Sequence, residues 1–108
     1  VSGAAGEETV QRVWEALRVV IDPELGYNIV DLGLIYDVDV NAEGAAHIMM
    51  TTTTRGCPAT HYLQTGAYEA ALSTDDITSA EVEMTYDPPW NPGMMRPEAK
   101  AHFGIPDD

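Results

Sequence analysis

The sequence predicts an α+β fold, with helices covering one face of a three-stranded mixed sheet and elements in the order α-β-β-α-β-α. Three observations predict it. A stripe of apolar residues at helical spacing opens the chain. Two alternating stretches joined by a glycine turn make a hairpin, and a further alternating stretch lies beyond a second helical pattern. A helix between the second and third strands is a crossover connection, which makes those strands parallel.

From Glu7 to Ile21, the residues Val10, Val13, Trp14, Leu17, Val20 and Ile21 recur at three- and four-residue steps, one buried face of a helix. Glu7 and Glu8 fall in its first turn, at the positive end of the dipole. Asp22-Pro23 stops it, since the residue before proline is pushed out of the α region. From Leu34 to Val40 the pattern alternates, with Leu34, Tyr36, Val38 and Val40 on one face and Ile35, Asp37 and Asp39 on the other. Asn41 to Gly44 is a turn, and a second strand from about Ala46 to Thr53 sets Ile48, Met50 and Thr52 on one side. A helix over Pro58–Leu72 buries Leu63, Ala67, Ala70 and Ala71. In the third strand Ala80, Val82, Met84 and Tyr86 alternate with Glu81, Glu83 and Thr85. Pro97 opens a short last helix and Gly104 closes it.

At 108 residues the chain makes one domain over 7–108, preceded by a flexible tail over 1–6. A single cysteine forms no internal disulfide, which fits a reducing cytoplasm. No apolar run reaches the roughly 20 residues of a membrane span. With 18 acidic against 5 basic residues, the formal net charge of -13 argues against nucleic acid and anionic lipid as partners. It leaves a basic protein or a cation open.

Chemistry-bearing residues gather in three segments. Cys57 lies in Thr51-Thr52-Thr53-Thr54-Arg55-Gly56-Cys57-Pro58, a hinge between strand and helix. With Pro58 as the first helical residue, Cys57 stands at or beside the N-cap, where helix N–H groups stabilise a thiolate. Such a thiolate is a nucleophile or a soft metal ligand; the plainer alternative is a small buried hydrophobe. The hydroxyls of Thr53 and Thr54 stand near it. Asp22 and Glu24 are hard oxygen ligands or general bases, although an aspartate before proline also caps backbone N–H groups. Asp31, among Ile29, Val30, Leu32 and Leu34, is read as a buried carboxylate that ties down its loop. Trp90, beyond Asp87-Pro88-Pro89, is a lid, a partner-facing ring, or packing at the end of the sheet. His61 follows Cys57 by four residues and would share its helix face; His47 and His102 have no evident partner.

These segments together resemble one family. Asp22-Pro23-Glu24 with Asn28-Ile29-Val30-Asp31-Leu32-Gly33-Leu34-Ile35-Tyr36, then Met50 through Pro58, then Asp87-Pro88-Pro89-Trp90 and the Met94-Met95 pair are similar to the motifs of SufT/PaaD-like proteins. The likeness runs in order from Thr9 to Ile105. It implies an iron–sulfur cluster assembly domain and a role in maturing or transferring clusters. Its motif cysteine corresponds to Cys57, and its acidic residues to Asp22, Glu24 and Asp31. Thr52 and Arg55 depart from the pattern. Relatives that serve as phenylacetyl-CoA oxygenase subunits carry an extra cysteine-bearing tail; this chain ends at Asp108 without one, and that favours a stand-alone assembly factor.

The leading expectation is a non-catalytic factor in which Cys57 transiently ligates iron or an iron–sulfur cluster. Asp22, Glu24, Asn28, Asp31, Thr53, Thr54 and Trp90 form the surrounding pocket. One thiolate does not hold a cluster, so a homodimer, or this chain with an apo client, supplies the other ligands. Assembly proteins and clients are the expected partners. The alternatives are an adaptor that binds no metal, an oxygenase-type subunit, and a thiol enzyme pairing Cys57 with His61.

Overall fold

The computed structural model describes residues 3–56 and 58–106, with side chains from residue 7 onward. Helix α1 (Gly3–Leu17) packs on strand β3 (Ile35–Val40), and α2 (Thr60–Leu72) packs on β5 (Ser79–Met84) and on α1. Strand β4 (Ala45–Met50) is central, antiparallel to β3 and parallel to β5. A two-residue hairpin, β1 (Ile21–Asp22) with β2 (Tyr27–Asn28), and a final helix α3 (Pro97–Phe103) complete the domain. The parallel β4–β5 pair and the crossover helix agree with expectation. Val38, Val40, Ala46, Ile48 and Met50 are buried beneath the helices, whereas Asp37, Asp39, Glu81 and Glu83 are exposed on the other face. Helix α2 buries Leu63, Ala67, Ala70 and Ala71, as its sequence pattern indicates. No helix among the described residues is long and apolar enough to cross a membrane.

Helix α1 differs from its expected span at both ends. It begins at Gly3, inside the stretch read as a tail, so Glu7 and Glu8 lie in its second turn and not at the positive end. Glu8 instead pairs with Arg12 one turn on, at 3.5 Å. The helix ends at Leu17, not at Asp22-Pro23. Arg18, Val19 and Val20 donate to carbonyls three residues back, the tighter spacing of a 3₁₀ ending. Val20 then accepts from the Ile29 N–H, and Ile21 and Asp22 pair with Asn28 and Tyr27. The β-branched run of Val19 to Ile21 suits this extended pairing better than another helical turn. Val20 is still buried, but Ile21 is exposed.

Strand β3 carries a second departure. Ile35 pairs with Met50 and Asp37 with Met49, so Tyr36 is the extra residue of a β-bulge. The bulge turns Ile35 into the core beside Val38, against the expected grouping with Asp37 and Asp39. Tyr36 is left half-buried at the rim. Strands β4 and β5 are shorter than expected, ending at Met50 and Met84, so Thr52 and Tyr86 belong to loops.

Candidate functional site at one end of the sheet

The strand directions gather the chemistry-bearing segments. Parallel β4 and β5 both finish, and antiparallel β3 begins, at the same end of the sheet. The segments before β3, after β4 and after β5 therefore leave side by side, and hydrogen bonds join them. Thr51 N–H donates to the Leu34 carbonyl at 2.8 Å, and Thr85 N–H to the Met50 carbonyl at 2.9 Å. The Thr52 hydroxyl donates to the Thr54 carbonyl at 2.6 Å, so the Tyr86 hydroxyl, 3.0 Å away, donates to Thr52 Oγ1. Trp90 Nε1 donates to the Leu32 carbonyl at 2.8 Å, and Arg96 N–H to the Asp31 carbonyl at 2.8 Å.

Within this frame the acidic residues do structural work. Asp22 is buried, and its Oδ1 accepts from the N–H groups of Glu24 and Leu25 at 2.7 and 3.1 Å. This is the capping alternative, an Asx turn closing the β1–β2 hairpin. Glu24 is exposed on that turn. Asp31 is buried, with both carboxylate oxygens 2.9 Å from Arg18 Nη2. Asn28 Nδ2 donates to Asp31 Oδ2 at 3.2 Å, while Asn28 Oδ1 accepts the Asp31 N–H at 2.9 Å. Asn28 and Asp31 are thus brought together, as a tied loop in which Arg18, absent from the sequence reading, is the counter-ion. Their separation of 13 residues hid the pair from any short-range pattern.

The cysteine-bearing segment is different. Thr51 and Thr52 are buried, Thr53 is half-buried, and Thr54, Arg55 and Gly56 are exposed, as is Pro58. Cys57 itself lies outside the described residues. Gly56 turns the chain at φ +71°, a left-handed conformation that favours glycine. The N-cap of α2 is Ala59, with no side-chain cap, and the bond from Leu63 N–H to the Ala59 carbonyl spans its first turn. Pro58 therefore precedes the helix and does not open it. Helix α2 starts at Thr60, which puts His61 in its first turn; the expected sharing of a face with Cys57 falls outside the described residues. His61 is exposed, beside Gln64, Tyr68 and Glu81 in a cleft between α2 and β5. His47 and His102 do have partners: His47 Nε2 lies 2.9 Å from Glu83 Oε1, and the His102 ring packs tilted against Tyr27 and edge-on to Phe103. Among the described residues, no group of three or more His, Cys, Asp or Glu side chains is placed to hold a metal ion.

Sequence reasoning also missed an open groove of about 460 Å³ lined by Trp14, Val30, Ile35, Tyr36, Met94 and Arg96. The bulge puts Tyr36 there. Its hydroxyl donates to the Pro88 carbonyl at 2.8 Å. Burial pushes the pKa of Tyr36 up, and a hydrogen bond with the Thr51 side chain draws it part of the way back.

The family model described as iron–sulfur cluster assembly protein matches residues 10–84, and the chain belongs to that family. It is 38% identical over 99 residues to the Fe-S protein maturation auxiliary factor YitW of Bacillus subtilis, covering 92% of this chain and 97% of that protein. It is 39% identical over 87 residues to the Fe-S protein maturation auxiliary factor SufT of Staphylococcus aureus, covering 81% of this chain and 99% of that protein. A crystal structure of a domain of unknown function from Bacillus anthracis superposes with a TM-score of 0.88 at 34% identity, covering 94% of this chain and 97% of that one. The family and fold read from the sequence are borne out.

Proposed function

We propose that this chain is an iron–sulfur protein maturation auxiliary factor whose Cys57 thiolate transiently ligates iron or a cluster on its way to an apo client protein. The observation that carries this reading is the exposure of Thr54, Arg55, Gly56 and Pro58 on both sides of Cys57, at a sheet end otherwise tied down by hydrogen bonds. Cargo that must leave again suits a ligand on an open turn over one in a closed cage. Helix α2 begins three residues beyond Cys57 with no side-chain cap, and its positive end favours the thiolate. The Arg55 guanidinium, 4.7 Å from the Tyr86 ring centroid, adds positive charge beside an anionic cargo. Asp22, Asn28 and Asp31 serve as scaffold for the pocket, and Thr53 and Thr54 contribute hydroxyls to it. Trp90 joins two of its loops. The remaining metal ligands come from a second copy of the chain, an assembly protein or the client.

Anaerobic reconstitution with iron and sulfide tests this. Wild type develops charge-transfer absorbance, and Cys57→Ser loses most of it. Equal absorbance in the two refutes ligation by this sulfur. A metal-free adaptor is the second reading, favoured by the preformed groove at Arg96. It requires Cys57→Ala to support client maturation in cells as well as wild type does.

A further inference from the structure

The chain has 18 acidic and 5 basic residues, so an arginine without a carboxylate needs a reason. Two acids stand beside Arg96: Asp31, whose carbonyl accepts the Arg96 N–H, and Glu98, two residues on. Arg18 engages both, at 2.9 Å and 4.0 Å. Among the described residues Arg96 is left with no ion-pair partner; its guanidinium lies 5.7 Å from the Trp14 ring centroid, on the wall of the groove. Apolar side chains from α1, the β3 entry and the segment after β5 make up most of the lining. The walls are fixed before anything binds. Gly33, at φ +81°, lets the Met94 backbone approach so closely that a Cβ there would stand 2.5 Å from the Met94 oxygen. Tyr36 holds Pro88, and Trp90 holds Leu32.

We propose that this groove docks a short segment of a partner protein in which an aliphatic or aromatic side chain neighbours an acidic one. The apolar side chain occupies the space between Trp14, Ile35 and Met94, and the carboxylate meets the guanidinium of Arg96. Arginine suits this task because its planar fork receives a carboxylate through two parallel hydrogen bonds and keeps its charge while stacked on a ring. A preformed groove adds little ordering cost on binding. The acidic surface elsewhere repels such a segment, so the one cation in the groove fixes where it binds. The inference rests on the proposed function only in taking the partner to be a protein. Binding is read on metal-free protein, so its failure leaves ligation by Cys57 untouched, and the reverse holds too.

The test pans a library of short random linear peptides on the full chain, then measures the best peptide by fluorescence anisotropy. The selected peptides pair an apolar with an acidic residue. Arg96→Gln binds about tenfold more weakly at an unchanged melting temperature. A peptide with its acidic residue changed to lysine binds Arg96→Glu more tightly than it binds wild type. No enriched peptides, enriched peptides without an acid, or equal affinity in Arg96→Gln overturns the proposal. So does octanoate binding as tightly as the best peptide, which would make the groove a small-molecule pocket.

Discussion

Two polar regions lie at the same end of the sheet and contrast sharply. Around Asp31 the polar groups face one another: both carboxylate oxygens meet Arg18, and Asn28 bonds the side chain and the backbone of Asp31. On the cysteine-bearing segment Thr54, Arg55, Gly56 and Pro58 are exposed instead. Both regions lie within the stretch that the family model matches, yet in the first the carboxylate already has its counter-ion and hydrogen bonds in place. The difference separates a tied polar surface from an open one: what counts is whether a group's partners are already in place, not how polar it is.

The largest expected effect follows from emptying the saturated region. Asp31→Ala leaves Arg18 with Glu98 at 4.0 Å as its remaining carboxylate and strands the Asn28 amide. Removing one partner of a mostly buried ion pair costs about 3 kcal/mol. Thr54→Ala, on the open turn, costs within about 0.5 kcal/mol. Urea denaturation of the two variants measures the contrast. Equal midpoints would erase it.

Two glycines sharpen the same comparison, because both are left-handed and only their surroundings differ. Gly33 is at φ +81° with the Met94 carbonyl oxygen 2.5 Å from where a Cβ would stand; Gly56 is at φ +71° with nothing within 4 Å. Gly56→Ala meets only the backbone penalty of about 1 kcal/mol. Gly33→Ala adds a clash with main chain that cannot swing aside, for a total of about 3 kcal/mol. Thermal melts of the pair give the difference directly, and a Gly56→Ala loss as large as that of Gly33→Ala would show the cysteine turn to be packed, not open.

Much of this was legible in the sequence, for physical reasons that differ by element. The buried face of α2 is a long periodic stripe, and its four apolar residues are buried as read. The Asp22 cap was legible because an aspartate before Pro23 serves neighbouring N–H groups, a local interaction. The end of α1 was not, since Val20 and Ile21 continue the helical spacing although the chain has already turned to pair with Asn28 and Tyr27. The bulge was hidden because Leu34 and Ile35 are both apolar, so either register satisfies the pattern. Arg18 with Asp31, and the Arg96 groove, depend on contacts between distant segments, for which a one-dimensional pattern carries no signal.

The smallest effect belongs to Tyr36, which stands at the border of the two regions, bonded to Thr51 on one side and Pro88 on the other. Its phenol loses its proton at higher pH in the folded chain than in the unfolded one, because burial disfavours the phenolate more than the Thr51 hydrogen bond favours it. The sign follows from linkage. As pH rises past the ordinary tyrosine range, about 10, the unfolded chain releases this proton while the folded chain still holds it, and stability falls until the folded group titrates as well. The stabilisation is therefore complete below that range and lost through the raised folded value. Urea midpoints for wild type between about pH 9 and about pH 11 decline more steeply than those of Tyr36→Phe, which retains the ring in the groove and removes the ionisable hydroxyl. Parallel declines would mean that the border residue is as well solvated as the open turn, and the division between the two regions would lie further toward the Asp31 cluster.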